Sequence, residues 1–221
     1  WHNPKENRDK YKNRMKAMKL IIANSEASKK LLRDVYEIET PIVVIKSPIN
    51  CTKQQVPCDT EKKVKNIINK KIRIGFIGRQ EKHKNPKFLI DLAKELMKIG
   101  YEVETEIIGS GSENKLLHKT ANLEGVSLYD YGRVPDWKEI VSKWELCITP
   151  SIREPLGLVP AETATVGTLT LASNIDGLPE MYPNTMKSLL IKMKEQDQKG
   201  DALQLNPVEN KFTKGLEPNI E

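Results

Sequence analysis

The chain has 221 residues, of which 38% are hydrophobic and 30% are charged, and its formal net charge is +6. This composition excludes an intrinsically disordered chain, because the hydrophobic content is close to that of globular proteins and the net charge per residue is small. It also excludes a helical membrane span, which needs about 20 consecutive apolar residues. Residues 1–19 contain no apolar signal segment, and the chain opens on Trp1 rather than Met, so we expect the natural protein to begin upstream.

The first part of the chain predicts a strand, a helix and a second strand. Residues 20–23 and 42–45 are short apolar runs with the length of buried strands, and residues 25–36 have helical spacing. Ser25 is a favourable residue to begin that helix. The polar, lysine-rich segment 47–71 follows, and we interpret it as a linker.

From residue 72, short apolar segments alternate with stretches of helical spacing. Asn85 and Pro86 are predicted to begin the first helix of this part, and Gly100 is predicted to end it. The alternation predicts an α/β fold, a Rossmann-like doubly wound parallel sheet with a partial second domain. Ligands of such sheets bind beyond the carboxyl ends of the strands, so we expect the site in the loops there. The predicted strands are 72–78, 103–108, 126–131, 146–149 and 168–172, and the predicted helices are 85–100, 113–122, 136–143 and 160–165.

The positive charge is concentrated in the N-terminal third. Residues 1–71 carry 17 basic and 8 acidic side chains, whereas residues 72–221 carry 19 and 22. A basic segment attracts nucleic acid or anionic lipid, although a solvated surface is the simpler interpretation. Aromatic residues are scarce among these lysines, so nucleic acid is not an expected partner.

The three cysteines do not indicate a disulfide framework. Cys147 lies in an apolar run and is predicted to be a buried core thiol, while Cys51 and Cys58 lack histidines at zinc-site spacing. No metal site is therefore predicted. An odd number of cysteines without a secretory signal favours the reducing cytoplasm.

Residues 149–162 contain two glutamates that cannot share one helix. Prolines and a glycine lie between Glu154 and Glu162, so Glu154 is predicted in a loop and Glu162 in the first turn of a helix. Amides that precede a helix favour an anion, and these would be the amides of Gly157, Leu158 and Val159. Carboxylates beside a bound phosphate are suited to accept hydrogen bonds from hydroxyl groups. Two ordinary surface glutamates are the alternative interpretation.

Cations follow the first strand of this half. Gly78 and Arg79 end the strand, and Lys84 precedes the next helix. The planar arginine fork and the lysine point charge together can hold a diphosphate, but they can also be two exposed bases among many. Gly109 begins a glycine turn after the following strand, where the backbone can approach a ligand closely, although an ordinary strand-to-helix turn is the simpler interpretation. His83 lies between bases and is expected to be exposed.

In chain order, these motifs resemble a known family. The residues that carry the likeness are Gly78-Arg79 with Lys84, Ile107 to Gly111, Tyr131-Gly132, Pro150-Ser151, Glu154 to Leu158 with Glu162, and Gly177 to Glu180. The ordered set resembles the C-terminal, donor-binding domain of the family 4 retaining glycosyltransferases, which have the two-domain GT-B fold. The resemblance covers roughly 72–191, and residues 23–28 are similar to the segment that ends the family's N-terminal domain.

The resemblance implies a division of the chain into four parts. Residues 1–46 would be the remnant of an N-terminal, acceptor-side Rossmann-like domain, and residues 47–71 the interdomain linker. Residues 72–191 would be the nucleotide-sugar-binding Rossmann-like domain, and residues 192–221 an irregular tail. The chain departs from the family where Ser47-Pro48 follows the second strand instead of an Asn-Gly pair, and most of the acceptor domain is absent.

The resemblance also implies an activity and a set of site residues. The enzyme would be a hexosyltransferase that moves a sugar from a nucleoside diphosphate sugar to a glycan, lipid-linked or other hydroxyl acceptor. Anomeric configuration would be retained, and neither a metal nor a cofactor would be needed. Arg79 and Lys84 would neutralise the diphosphate, and Glu154 would hold sugar hydroxyls. These three would be the catalytic residues, and Glu162 would accept a hydrogen bond from the ribose. The remaining contacts to the nucleotide sugar would come from Gly78, Gly109, Arg133, Val134, Leu156, Gly157, Leu158 and Val159.

Two other functions stay open at this point. One is a nucleotide-sugar epimerase or phosphorylase-like enzyme on the same scaffold. The other is a non-catalytic basic module that binds membrane lipid or nucleic acid. For the enzyme we expect a cytoplasmic location, with peripheral contact between the basic segment and the anionic inner face of a membrane.

Overall fold

The computed structural model describes residues 8–49 and 58–192, with side chains from residue 12 onwards. Cys51, the central part of the predicted linker and nearly all of the predicted tail lie outside these residues.

The N-terminal part forms a small α/β unit. Strands β1 and β2 pair in parallel, with Ile21 opposite Ile42. Helix α2 begins where it was predicted, because the Ser25 side chain accepts a hydrogen bond from the Ser28 amide at 2.9 Å. A preceding helix, α1, was not predicted, since its sequence is mostly charged and polar and has no apolar stripe. The elements are α1 (Arg8–Lys16), β1 (Ile21–Ala23), α2 (Glu26–Asp34) and β2 (Ile42–Val44), and the buried apolar residues are Ile21, Ala23, Tyr36, Ile38 and Ile42.

The rest of the described chain forms a six-stranded sheet in which every pair of neighbouring strands is parallel. This confirms the predicted α/β fold with a parallel sheet. The strands are β3 (Lys71–Ile77), β4 (Glu102–Ile108), β5 (Leu128–Asp130), β6 (Leu146–Thr149), β7 (Leu169–Ser173) and β8 (Leu190–Ile191). The helices are α3 (Thr60–Ile68), α4 (Phe88–Lys98), α5 (Asn114–Glu124), α6 (Trp137–Val141) and α7 (Val159–Ala164). Short 3-10 turns cover Lys82–Lys84, Leu178–Met181 and Asn184–Leu189.

The strand order decides where a ligand can enter. The order is β5-β4-β3-β6-β7-β8, so the chain moves in one direction from β3 and in the opposite direction from β6. The loops that follow these two neighbouring strands therefore diverge and leave a crevice at the carboxyl edge of the sheet. In open α/β sheets this switch point is where ligands bind.

The sheet is packed on both faces. On one face Phe76 and Ile107 lie in a core with residues of α4 and α5. On the other face Trp144 is fully buried and lies so close to β3 that a Cβ at Gly75 would be 2.3 Å from its ring. Cys147 belongs to the same core, as predicted, and burial raises the pKa of its thiol to about 12.

Apart from α1, the structure differs from the predicted elements at three places. Helix α4 begins at Phe88, because the 3-10 turn before it ends on Asn85 in the left-handed conformation (φ 50°). Asn85 and Pro86 therefore lie before the helix. The predicted linker contains α3, which starts where the Asp59 side chain accepts from the Lys62 amide at 2.9 Å. Strand β8 adds two residues to the sheet edge after the last predicted strand.

Within residues 8–49 and 58–192, no helix has the length and apolar character needed to cross a membrane.

Candidate functional site

A cavity of about 430 Å³ opens at the carboxyl ends of β3 and β4. Gly78 and Gly109 lie face to face on one side of it, so close that a Cβ at Gly109 would be 1.9 Å from the Gly78 carbonyl oxygen. The cavity is lined by Ile77, Gly78, Ile108, Gly109, Arg133, Val134, Pro135 and Trp137. Four residues that were predicted from separate parts of the sequence, Gly78, Gly109, Arg133 and Val134, thus surround a single space.

A carboxylate that sequence reasoning missed holds the turn beneath this cavity. The Asp130 carboxylate accepts a hydrogen bond from the Gly132 amide at 2.8 Å. It also accepts from the side-chain amide of Asn114 at 2.7 Å and lies 3.0 Å from the imidazole ring of His118, both residues of α5. Burial opposes ionisation of Asp130, but the hydrogen bonds from His118, Gly132 and Asn114 outweigh it and lower the pKa of the carboxyl. The Gly132 carbonyl in turn accepts from the Gly109 amide at 2.7 Å, so Asp130 fixes both walls of the cavity.

The two predicted cations lie at the start of the crevice beside this cavity. Arg79 is exposed directly after Gly78, and Lys84 ends the 3-10 turn that follows. His83 between them is partly buried rather than exposed as predicted, because its carbonyl accepts from the Ile152 amide at 2.8 Å. Burial lowers the pKa of His83, and the positive charges of Lys84 and Arg79 lower it further. The negative charges of Glu81 and Glu154 oppose this effect.

Glu154 meets Lys84 across the crevice. Its carboxylate forms an ion pair with the Lys84 ammonium and lies 3.3 Å from the Ser151 hydroxyl, which donates to it. Glu154 is 9% exposed. A buried carboxylate of this kind needs a charged partner, and Lys84 supplies it. The pair joins the loop after β3 to the loop after β6, which are the two loops that diverge at the switch point.

The backbone of the Glu154 loop is held on its other side. The Glu154 amide donates to the Asp176 side chain at 2.9 Å, and its carbonyl accepts from the Gly177 amide at 3.1 Å. Leu156 is buried, and a Cβ at Gly157 would be 2.8 Å from Cγ of Glu154. The loop therefore has little freedom around the carboxylate.

Glu162 lies in helix α7, as its spacing from Pro160 predicts. It is partly buried, and burial raises the pKa of its carboxyl while the Lys138 ammonium of α6 opposes the rise. Leu158 and Val159 are partly buried at the start of the same helix. Helix α7 is six residues long, so the amides that precede it belong to a loop at the start of a short helix.

A larger cavity, of about 550 Å³, lies at the opposite, amino edge of the sheet. The five cations in its lining are balanced by five acids, and two of the cations form ion pairs: Lys71 contacts Glu102 at 2.9 Å, and Arg73 contacts Glu104. Within residues 8–49 and 58–192, no group of three or more His, Cys, Asp or Glu residues is placed to hold a metal ion. The cationic crevice at the carboxyl edge is thus the stronger candidate for an anionic ligand.

Comparison with known proteins places this arrangement in a family. The family model of the glycosyl transferases group 1 matches residues 58–205, which is more than half of the chain. The chain belongs to this family. The matched region contains every element of the six-stranded sheet and the whole candidate site.

The curated relatives match most of this chain, but the match covers only part of their own length. An uncharacterized 41.2 kDa protein in the cps region of Klebsiella pneumoniae is 28% identical over 179 residues, which cover 79% of this chain and 48% of that protein. A D-inositol 3-phosphate glycosyltransferase of Corynebacterium urealyticum is 26% identical over 204 residues, covering 83% and 47%. The chain therefore spans about half the length of the curated relatives it matches.

Two solved structures have a fold similar to that of this chain. Anabaena Alr3699/HepE, crystallised with UDP-glucose, has a TM-score of 0.71 at 20% identity and is matched over 90% of this chain and 57% of that one. A mutant of S. aureus TarM, crystallised with UDP, Fondaparinux and alpha-GlcNAc-glycerol, has a TM-score of 0.70 at 17% identity, with 86% and 37% covered. At these identities the likeness shows the fold.

Proposed function

We propose that this chain forms the nucleotide-sugar-binding part of a glycosyltransferase that moves a hexosyl group from a nucleoside diphosphate sugar to a hydroxyl acceptor with retention of configuration. One observation carries the proposal. At the switch point of the sheet, a cation from the loop after β3, Lys84, pairs with a buried acid from the loop after β6, Glu154, beside a glycine-walled cavity. A donor sugar has an anionic diphosphate and a neutral polyol, and this crevice offers one group suited to each.

The nucleotide end of the donor fits the cavity between β3 and β4. Val134, Pro135 and Trp137 supply apolar surface for a base, and the glycine walls allow the backbone to approach it. The diphosphate would then lie over Arg79 and Lys84. These fixed cations would stabilise the negative charge that develops on the departing nucleoside diphosphate, without reorganisation during the reaction.

The hydroxyl groups of the donor fit the two glutamates. Glu154 would accept from the sugar and Glu162 from the ribose, as the family resemblance implies for these two positions. The ligands named for similar folds support a uridine nucleotide: Alr3699/HepE was crystallised with UDP-glucose, and TarM with UDP. Peripheral contact of the basic N-terminal part with anionic lipid remains a further prediction.

Calorimetric titration of the folded chain with UDP, GDP, ADP and UDP-glucose tests the proposal. We expect one site per chain for a nucleoside diphosphate, with UDP among the ligands bound, at micromolar to millimolar affinity. The absence of binding by all four ligands, with the chain folded by circular dichroism, would contradict it. In the complete protein, NMR of the product distinguishes transfer with retention from an isomerised or phosphorolysed sugar.

Replacement of Glu162 should change both stability and UDP affinity in a way that depends on pH. Because burial raises its pKa, the ionised form is costly in the folded protein, and this cost is relieved as the pH falls through the raised pKa. Glu162→Gln should therefore increase the free energy of unfolding above that pKa and have no such effect well below the ordinary value of 4.5. UDP affinity should show the opposite trend, because an ionised carboxylate accepts better from ribose hydroxyls than an amide does.

Chemical unfolding and UDP titration between about pH 3 and about pH 8 would check both trends, because this range extends below the ordinary pKa of a glutamate. Glu139→Gln is the matched control, because Glu139 is an exposed glutamate on helix α6. A stability gain that is the same at every pH, or equal in the two variants, would show that the burial of Glu162 does not control its ionisation.

A further inference from the structure

Two sequence motifs to which no role has been given contact each other in the structure. One is the beginning of helix α2, and the other is the turn that ends at Glu180. The Glu180 carboxylate accepts hydrogen bonds from the amides of Ala27 at 2.9 Å and Glu26 at 3.1 Å. These are among the first amides of α2, which have no partner within the helix, and a negative charge is favoured at that position. Glu180 therefore caps a helix that lies more than 150 residues earlier in the chain.

The same helix start also holds the loop that carries Glu154. The hydroxyl of Ser25 donates to the carbonyl of Pro155 at 2.5 Å, and the hydroxyl of Ser28 lies 3.4 Å from the same oxygen. Ser25 is fully buried. Because proline has no amide hydrogen, this carbonyl is its one backbone hydrogen-bonding group, and the N-terminal unit satisfies it.

Glu180 and the Glu154 loop are connected a second time through Gly177. The Gly177 amide donates to the Glu154 carbonyl at 3.1 Å, and the Glu180 amide donates to the Gly177 carbonyl at 3.1 Å. The packing leaves no room for a side chain, since a Cβ at Gly177 would be 2.1 Å from the Pro155 carbonyl oxygen. The loop is thus clamped between the turn 176–180 and the start of α2.

A cation from the N-terminal unit completes this contact. The Lys46 ammonium lies 3.6 Å from the Glu180 carboxylate. The Glu180 side chain is 18% exposed, so its charge is balanced by Lys46 and by the start of α2 with limited screening from solvent.

We propose that Glu180 and the start of α2 are positioning elements for Glu154, so that the N-terminal unit sets the sugar side of the donor site. This inference rests on the proposed function, in which Glu154 binds the sugar and Arg79 and Lys84 bind the diphosphate. The clamp acts on the Glu154 loop and touches neither wall of the cavity for the base. Its loss changes recognition of the sugar and leaves recognition of the nucleotide unchanged.

The test compares UDP with UDP-glucose in the full chain. In Glu180→Gln, one of the two accepting oxygens becomes an NH2 group that faces a donating backbone amide. The clamp then loses its negative charge and keeps at most one of its two hydrogen bonds, while the size of the side chain is kept. We expect about a tenfold loss of affinity for UDP-glucose and less than about a twofold change for UDP, as for the loss of a hydrogen bond to a charged group. Ser25→Ala, which removes the second contact, should shift the same ratio in the same direction. Glu26→Gln is the control, because the Glu26 side chain lies at the same helix start and its carboxylate contacts Lys29 instead.

A double-mutant cycle separates positioning from a merely structural role. If Glu180 acts through Glu154, Glu180→Gln should cause no further loss of UDP-glucose affinity in a chain that already carries Glu154→Gln. An equal loss for both ligands, no loss for either, or additive losses in the cycle would overturn the inference while UDP binding by the unaltered chain upholds the proposed function. If the unaltered chain binds neither ligand, the proposed function and this inference fall together.

Discussion

Lys84→Gln should weaken UDP binding by roughly a hundredfold, which corresponds to about 3 kcal/mol. Two costs add to give this large effect. First, the diphosphate loses an attractive interaction with a cation. This interaction is only weakly screened by water, because the Lys84 and Glu154 side chains are 20% and 12% exposed. In addition, the buried Glu154 carboxylate loses the charge that compensates it, and a carboxylate left in this state repels the incoming phosphates.

The control for this result lies in the same 3-10 turn. Lys82→Gln removes the same charge from an exposed side chain two residues away, so it should change UDP affinity by about threefold or less, as for a surface charge screened by salt. Calorimetric titration at two salt concentrations would compare the variants. Equal losses in Lys82→Gln and Lys84→Gln would mean that overall positive charge, and not the position of Lys84, attracts the nucleotide.

Gly109→Ala should abolish measurable UDP binding and destabilise the fold by about 3 kcal/mol. The added methyl group would lie 1.9 Å from the Gly78 carbonyl oxygen, so the ends of β3 and β4 must separate. Both glycines line the cavity proposed for the base, and Gly109 has φ 130°, which is strained for any residue with a side chain.

Backbone strain and steric overlap can be separated with a second glycine. Gly125 also has a positive φ, 67°, but a Cβ there would meet no atom within 4 Å. Gly125→Ala should therefore cost only about 1 kcal/mol and leave UDP affinity unchanged. Thermal unfolding and UDP titration of the two variants would compare them. Intact UDP binding in Gly109→Ala would show that the space between Gly78 and Gly109 does not belong to the nucleotide site.

The fold could be predicted from the sequence because strands are marked by short local patterns of residues. Short apolar runs such as 72–78 and 146–149 have the length and residue types of buried parallel strands, and glycine or proline residues end them. Helix α1 was missed because its sequence is mostly charged and polar, so periodicity does not indicate it. Helix α3 was missed although Val64, Ile67 and Ile68 recur at helical spacing, because the lysine-rich polar sequence around them favoured a linker. Asn85 and Pro86 were assigned to α4 because the sequence does not reveal the 3-10 turn that precedes the helix.

The composition of the candidate site was also predictable, but its connections were not. Arg79, Lys84 and Glu154 are residue types suited to a diphosphate and a polyol, and their order resembles a family. The contact between Lys84 and Glu154 joins residues 70 positions apart and depends on β3 and β6 being neighbours in the sheet. Asp130 has no distinctive local signal, and Glu180 belongs to a motif whose role was not predictable, because each acts on backbone amides that the fold alone brings near.

Photo-cross-linking of the folded chain with an azido derivative of UDP, followed by mass spectrometry of the labelled peptides, tests the central claim most directly, because the chain has a cavity at each end of its strands. If the nucleotide binds at the carboxyl edge, the label should appear on residues 133–137 or beside Gly109, and unlabelled UDP should suppress it. Labelling of residues 62–73 or 139–145, which line the cavity at the amino edge, would contradict the account.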